Sequence, residues 1–173
     1  VNKAARQVCL GIYNHKKIYQ EEKDMQLIDV LDERIIDLNA EATNKDEVLT
    51  LLAGKLKDAG YIADVDSYIE DIYLRESQGQ TGIGHYVAIP HGKSDSVTQV
   101  GIAIGKVQDE IEWETLDGNG VKLIFLFAVG NDNENAKTHL RLLAEVARTL
   151  GNDDAVEALL NASTVEDLKA VFA

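Results

Sequence analysis

The sequence predicts an α/β protein with three layers, an α/β/α sandwich in which helices flank a central sheet. Strand-like and helical segments alternate along the chain from Met25 onward, which is typical of layered α/β domains. The segment VKLIFLFAV (121–129) is apolar without alternation, as expected of a strand that is covered on both faces. With 173 residues, of which 45% are hydrophobic, the chain can bury one sizeable core, and we expect one domain.

Hydrophobic periodicity and capping residues predict the elements that precede this strand. The segment RIIDL (34–38) is expected to form a short strand. Thr43 is expected to cap a helix whose apolar residues recur at helical spacing, and Gly60 is expected to end it. A second helix is predicted to begin near Asp66 and to run towards Arg75.

The remaining elements are predicted by the same patterns. The segment VGIAIGKV (100–107) is strand-like. The segment 135–151 is predicted to be helical, with four apolar residues on one face, Leu140, Leu143, Ala144 and Ala147. The segments 153–162 and 164–172 are predicted to form the last two helices.

Charge and composition exclude several classes of function. The net charge of −13 and the pI near 4.6 would repel polyphosphate backbones and anionic lipids, so we expect no nucleic-acid partner and a protein partner instead. The single cysteine, Cys9, cannot form an internal disulfide. Because the sequence has neither an apolar stretch long enough to span a bilayer nor the layout of a signal peptide, we expect a cytoplasmic protein without direct membrane insertion.

The charge distribution predicts a boundary near Met25. Residues 1–24 contain five Lys/Arg against three Asp/Glu, a net charge of +2, whereas the remainder contains twelve against 27, a net charge of −15. We therefore expect 1–24 to be an amino-terminal extension or linker and 25–173 to be the functional domain. A functional arm stays open as the alternative, although its composition supports no specific role.

The segment GIGHYVAIPHGKSDS (82–96) contains two of the four histidines and the only proline. Its Gly-Lys-Ser sequence matches the end of a phosphate-binding P-loop, but that motif requires a glycine where Val87 stands. Val87 also breaks the dinucleotide-binding pattern that Gly82 and Gly84 begin. Neither nucleotide motif is therefore present.

A metal site is a further alternative for this segment. His85, His91 and His139 could converge on an ion, but no pair has the spacing of the H-E-x-x-H zinc motif. We expect no metal and no cofactor, and a zinc hydrolase would be excluded by finding no stoichiometric metal in active protein. The simplest interpretation, that His91 is an ordinary loop histidine, also stays open on local sequence alone.

The setting of His91 favours a chemical role. Pro90 fixes its own φ and keeps Ile89 extended, while Gly92 can complete a turn, so that a stiff strand would present the imidazole at the end of a sheet. A neutral imidazole can attack through one nitrogen while a hydrogen bond holds the other. For a phosphoryl electrophile, donors around the equatorial oxygens could come from Arg75, Thr81, Lys93 and His139.

The segment RESQGQTGIGHYVAIPHGKSD (75–95) resembles the active-site segment of the fructose/mannitol-type enzyme IIA domain of the bacterial phosphoenolpyruvate-dependent sugar phosphotransferase system. Segments 27–62 and 121–150 resemble the opening and the second histidine segment of the same domain. The resemblance implies a mixed sheet, phosphorylation of His91 by the phosphocarrier protein HPr, a second active-site histidine at His139, and an arginine at Arg75 that helps to hold the phosphoryl group. Support of the phosphate loop is expected from Glu76, Thr81, Pro90, Gly92 and Lys93.

The resemblance also implies a relay. Phospho-HPr would phosphorylate His91, usually on Nε2, and the phosphoryl group would then pass to a cysteine or histidine of an enzyme IIB partner, which phosphorylates sugar during transport. The alternative is a regulatory, nitrogen-related enzyme IIA, whose phosphorylation state controls protein partners.

Overall fold

The computed structural model describes residues 26–173, so the expected extension, 1–24, lies outside the described residues. Within this range the α-helices are α1 Lys45–Asp58, α2 Val65–Glu76, α3 Asn133–Leu150, α4 Asp153–Asn161 and α5 Val165–Phe172. The strands are β1 Ile36–Asp37, β2 Gly82–Gly84, β3 Val87–Ala88, β4 His91–Lys93, β5 Gly101–Ile111 and β6 Val121–Val129. None of these helices is both long enough and apolar enough to cross a membrane.

The strands form one mixed six-stranded sheet, as expected. Its order is β1-β5-β6-β3-β2, and β4 also pairs with β6. β1 is parallel to β5, β5 is antiparallel to β6, and both β3 and β4 are parallel to β6. β6 is therefore the central strand, to which the three neighbouring strands are hydrogen-bonded.

Helices cover both faces of this sheet. Side chains of α1 and α2 form one buried cluster with one face, and side chains of α3, α4 and α5 form a second cluster with the other. Successive residues from Leu123 to Val129 alternate between the two clusters, so β6 is apolar on both sides. The predicted three-layer sandwich is confirmed.

β3 and β4 follow β6 in one continuous register. Ala88 pairs with Ile124 and His91 pairs with Phe127, so the two short strands behave as one strand interrupted at Pro90. A proline lacks the N–H that a ladder position needs, and the interruption falls at the residue where that donor is absent. This register brings His91 to the end of the sheet, as the sequence predicted.

The ends of α1 show one difference from the sequence prediction. The amino-terminal cap is Asn44 rather than Thr43, because the Asn44 side chain accepts a hydrogen bond from the backbone N–H of Glu47. Thr43 lies one residue earlier and donates both its N–H and its hydroxyl to the Glu47 carboxylate. Gly60, with a φ of +83°, ends the helix as predicted, in a conformation that a side chain would strain.

The apolar face predicted for α3 is only partly right, because the buried stripe is rotated by about a quarter turn around the helix. The residues that pack into the core are Leu142, Val146 and Leu150, spaced four apart. Of the predicted face, Leu143 packs against the core, whereas Leu140 is 65% exposed and Ala144 and Ala147 are also exposed. The prediction was partly wrong because leucines flank the buried residues on both sides of the helix. Only packing against β6 shows which of these leucines is buried.

The corrected face predicts a contrast between two leucines that are two residues apart. Leu142→Ala should lower the free energy of unfolding by about 2–5 kcal/mol, because a fully buried side chain leaves a cavity. Leu140→Ala should change it by less than about 0.5 kcal/mol, as is usual for exposed sites. Denaturant unfolding of both variants measures this, and equal destabilisation would contradict the assignment of the buried face.

Candidate active site

The carboxyl ends of β4 and β6 open into a cavity of about 470 Å³ between α2 and α3. Three of the side chains that line it, His91, His139 and Arg75, are the ones predicted to carry the chemistry. They come from three different elements, and the fold brings them together. The cavity is completed by Asp71, Leu74, Gln78, Gly92, Lys93, Val129, Ala136 and Leu140.

A hydrogen bond to the backbone fixes the tautomer of His91. Its Nδ1 lies 2.8 Å from the carbonyl oxygen of Ile89. Because a carbonyl can only accept, Nδ1 carries the proton and the lone pair of the neutral ring is on Nε2. The ring is half-buried. Nε2 is therefore the nucleophilic atom that His91 offers to the cavity.

The backbone around Pro90 is held on both sides. The N–H of Ile89 donates to the carbonyl of Thr81 at 2.9 Å, and the N–H of Phe127 donates to the carbonyl of Pro90 at 3.0 Å. Pro90 itself has no N–H that would be left without a partner in this buried position. The peptide that holds the imidazole is thus anchored both to β6 and to the segment before β2.

Gly92 allows α2 to approach the strand that carries His91. A Cβ at this position would lie 2.9 Å from the backbone oxygen of Asp71, closer than such contacts normally occur. The absence of a side chain thus keeps α2, and with it Arg75, close to β4. Lys93, the next residue, is exposed and contributes a cationic side chain to the cavity lining.

His139 lies directly beside His91. The centroids of the His139 and His91 rings are 5.5 Å apart, and those of the His139 and Phe127 rings are 5.4 Å apart in an edge-to-face arrangement. Among the described residues, Nε2 of His139 is buried without a hydrogen-bond partner. Burial, together with the charges of His91 and Lys93, lowers the pKa of His139 from 6.5 to about 4. The ring is therefore neutral near pH 7 and has a nitrogen available to a ligand.

Arg75 lies at the carboxyl end of α2, on the rim of the cavity. Its Nη1 donates to the carbonyl of Gly79 at 2.9 Å, which fixes the guanidinium against the loop that follows the helix. This bond uses one of the five N–H donors of an arginine side chain. A planar, permanently charged fork of this kind suits a phosphoryl group.

Three of the predicted supporting residues lie behind the cavity. Glu76, Thr81 and Pro90 do not line it. The Thr81 hydroxyl donates to one carboxylate oxygen of Glu76, so it is not presented to a ligand in the cavity. The other oxygen of Glu76 accepts from Lys45, a residue that the sequence did not single out.

The rim of the cavity includes apolar side chains that sequence reasoning missed. Leu74 is 62% exposed and Leu140 is 65% exposed, on α2 and α3 respectively. One feature of the sequence could have identified them. Leu74 directly precedes Arg75, and Leu140 directly follows His139. Exposed leucines on both sides of a cavity are typical of a surface that another protein covers.

The third histidine does not join the site. His85 is in the turn between β2 and β3, where its N–H donates to Asp117 at 3.0 Å. It is absent from the cavity lining. Within residues 26–173 no group of three or more His, Cys, Asp or Glu side chains could hold a metal ion.

The environment of His139 predicts its titration. Its ring should titrate near pH 4, measured by the pH dependence of its ring-proton resonances. An unfolded chain would bind this proton with a pKa of 6.5, so the free energy of unfolding should fall as the pH drops from 6.5 towards 4.

The variant His139→Gln should reduce this loss of stability. The matched control is His85→Gln, which removes a histidine from an exposed turn. A His139 ring that titrates at its ordinary value, or a pH dependence unchanged in His139→Gln, would contradict the burial argument.

Comparison with known proteins assigns the family. Residues 29–173 match the model of the phosphoenolpyruvate-dependent sugar phosphotransferase system, EIIA 2. The chain is 36% identical over 140 residues to the fructose-specific EIIABC component of Bacillus subtilis, covering 81% of this chain but 22% of that protein. It is 33% identical over 146 residues to the mannitol-specific enzyme IIA component of the same organism, covering 83% of this chain and 96% of that protein.

A solved structure shares the fold. The nitrogen regulatory protein IIA-Ntr of Neisseria meningitidis superposes with a TM-score of 0.76 at 26% identity, covering 85% of this chain and 99% of that one. The family match spans most of the chain, including every residue that was predicted to act in the site. The chain therefore belongs to the EIIA 2 family of the phosphoenolpyruvate-dependent sugar phosphotransferase system.

Proposed function

We propose that this chain is a phosphocarrier that accepts a phosphoryl group from phospho-HPr on Nε2 of His91 and passes it to an enzyme IIB partner for sugar uptake. The observation that carries the proposal is the bond from Nδ1 of His91 to the Ile89 carbonyl. It leaves Nε2 unprotonated in a cavity that also contains His139 and Arg75. Residues 25–173 would form the phosphotransferase domain.

The first half of the relay is an in-line displacement at phosphorus. The lone pair of Nε2 forms a new P–N bond while the bond between phosphorus and the donor breaks, and its electron pair leaves with HPr. The ring becomes cationic as this happens. Because the Nδ1–H stays bonded to the Ile89 carbonyl, the backbone dipole stabilises the developing charge.

The second half reverses these roles. A cysteine or histidine of the IIB partner attacks the phosphorus, the P–N bond to His91 breaks, and its electron pair returns to Nε2. The neutral, Nδ1-protonated ring is thereby restored for the next cycle. No cofactor takes part, because both steps exchange one nucleophile for another at the same phosphorus.

Three side chains can bind the transferring oxygens. Neutral His139 can donate from its unpaired ring nitrogen, while Arg75 and Lys93 add positive charge. A site built from so few donors can stabilise the transition state without trapping phosphohistidine, which a relay must release. His139 adds no charge of its own near pH 7 because its pKa is about 4.

Features of the rim support transfer between proteins rather than to a small molecule. The exposed Leu74 and Leu140 flank the entrance, and an apolar centre with a polar rim is typical of protein interfaces. The fructose-specific relative is named an EIIABC component, and this chain matches about a fifth of it. The name indicates that an A part shares one polypeptide with B and C parts in that protein, which is consistent with a B-type partner for this chain.

Sugar transport is preferred over regulation. The sugar-specific relatives are 36% and 33% identical to this chain, against 26% for the nitrogen regulatory protein. Incubation of the phosphorylated protein with a panel of purified IIB partners tests the assignment. Transfer to none of them would contradict the transport role.

The proposed nucleophile predicts that only His91 is labelled. Protein incubated with ³²P-phospho-HPr should acquire acid-labile, alkali-stable label, and His91→Ala should acquire none, because among residues 26–173 no other histidine is positioned in the cavity with its Nδ1 bonded to a backbone carbonyl. Labelling of His91→Ala at the wild-type rate and extent would overturn the assignment.

The proposed donors predict slower transfer with the same labelled residue. Arg75→Ala and His139→Ala should each reduce the phosphorylation rate by roughly 100-fold, the typical cost of removing a preorganised donor. Arg75→Lys should restore only part of the rate, since an ammonium keeps the charge but loses the planar fork.

Rapid-quench measurement of label on His91 gives these rates, and circular dichroism checks that the variants are folded. Wild-type rates in both alanine variants would show that the donors have been assigned wrongly, even if His91 is the acceptor.

A further inference from the structure

Lys45, the first residue of α1, joins three segments of the chain behind the active site. Its Nζ lies 2.7 Å from Oε2 of Glu76 at the end of α2 and 2.9 Å from Oε2 of Glu114 in the loop between β5 and β6. The same ammonium lies 4.6 Å from the centroid of the Trp113 ring. The side chain of Lys45 is 17% exposed and that of Glu76 is 6% exposed, so the ion pair is largely shielded from water.

The single ammonium of this cluster faces two carboxylates. Burial lowers the pKa of Lys45, but hydrogen bonds to Glu76 and Glu114 outweigh that effect and raise it above the ordinary value. The ammonium is therefore charged throughout the physiological range. Glu76, in turn, has a cationic partner for a carboxylate that would otherwise be buried alone.

A continuous chain of hydrogen bonds leads from this ion pair to the nucleophile. The second oxygen of Glu76 accepts from the hydroxyl of Thr81, which is buried. The carbonyl of Thr81 accepts from the N–H of Ile89 at 2.9 Å. The carbonyl of Ile89 accepts from Nδ1 of His91 at 2.8 Å. One residue, Ile89, thus makes both the bond that fixes the ring and the bond to Thr81.

Close packing limits how far Thr81 can move. A Cβ on the next residue, Gly82, would lie 2.5 Å from the backbone oxygen of Glu114 and 2.5 Å from Cγ2 of Thr115. The backbone after Thr81 therefore lies directly against the segment that also supplies a carboxylate to Lys45. A shift of the ion pair would be transmitted to Thr81 rather than absorbed by empty space.

We infer that Lys45 is a positioning residue for His91, acting through Glu76, Thr81 and the backbone of Ile89 to hold the ring in its Nδ1-protonated tautomer. The inference rests on the proposed function, in which Nε2 must be unprotonated to accept a phosphoryl group. Lys45 does not line the cavity, so it cannot contact the transferring group directly. Because Glu76 directly follows Arg75, the same ion pair also holds the end of the helix that supplies the arginine.

Loss of the Lys45 ammonium should weaken this series of hydrogen bonds, beginning with the one that Glu76 accepts from Thr81. Without Lys45, the buried Glu76 carboxylate must either take up a proton or turn towards water, and the Thr81 hydroxyl loses a fixed acceptor. The Ile89 backbone is then held less firmly, and His91 can sample its other tautomer. The fraction of molecules in which Nε2 of His91 is unprotonated therefore falls, although no side chain has been removed from the cavity.

The test combines two substitutions with a spectroscopic readout. Lys45→Met removes the charge with similar length, and Thr81→Val removes only the hydroxyl. The ¹⁵N resonances of the His91 ring report which nitrogen is protonated, and both variants should shift the equilibrium away from the wild-type tautomer. Phosphorylation by phospho-HPr should slow by roughly tenfold, the lower end of what loss of a supporting hydrogen bond costs an active site.

Matched variants separate positioning from general stability. Lys55→Met is the control. Lys55 lies on the same helix and forms an ion pair with Asp37 at 3.3 Å, but neither residue belongs to the series of hydrogen bonds that leads to His91. It should change neither the His91 resonances nor the phosphorylation rate. Lys45→Arg and Thr81→Ser should restore most of both properties. The double variant Lys45→Met/Thr81→Val should slow phosphorylation little more than either single change, since both act through one chain of bonds.

Two results would overturn the inference. One is a folded Lys45→Met variant whose His91 resonances match the wild type. If Lys45→Met does not fold, Thr81→Val decides, and unchanged resonances in that variant are the second overturning result. The resonances require no phosphoryl donor, so they test the positioning role even if phospho-HPr fails to label wild-type protein, which would contradict the proposed function instead.

Discussion

The hydrogen bond from Nδ1 of His91 to the carbonyl of Ile89 connects the backbone of the sheet to the chemistry of the ring. It depends on the register in which β3 and β4 follow β6, because that register places His91 opposite Phe127 and keeps Ile89 two residues away on the same strand path. Pro90 stands between them without an N–H to satisfy. A slip of one residue would turn the imidazole to the other face of the sheet, away from α3 and His139.

A second constraint is the close approach of α2 to β4. Gly92 permits it, since a Cβ there would meet the backbone of Asp71 at 2.9 Å. On the other face, α3 is held by leucine and valine side chains packed onto β6. The cavity therefore lies where helices from opposite layers meet the same strand ends. Its geometry is set by the packing of both layers, and a binding group in it is held more firmly than it would be on a free loop.

Much of this arrangement could be predicted from the sequence, for reasons that are local. The run 121–129 predicted a strand covered on both faces, and Pro90 predicted a stiff backbone before His91; the turn expected at Gly92 was wrong, because Gly92 is buried within β4 and pairs with Ala128 of β6. The face of α3 could not be predicted, because Leu140 and Leu142 have the same hydrophobicity and only tertiary packing distinguishes them. Lys45 could not be found for a related reason. It is 31 residues from Glu76, and a lysine in the first turn of a helix has no sequence signature of an ionic partner.

The burial of His139 shows how the two demands on this site, stability and function, oppose each other. Packing against Phe127 and His91 removes its Nε2 from water without supplying a protein partner among the described residues. An unpaired buried polar atom typically costs about 1–3 kcal/mol. An oxygen of the transferring phosphoryl group would provide the missing partner, so that the cost is recovered when the group arrives. The same burial lowers the pKa of His139 and prevents a second positive charge beside Nε2 of His91. In the proposed relay, a charged ring there would bind phosphohistidine more tightly and slow its onward transfer, so exclusion of that charge by burial would favour a reversible site.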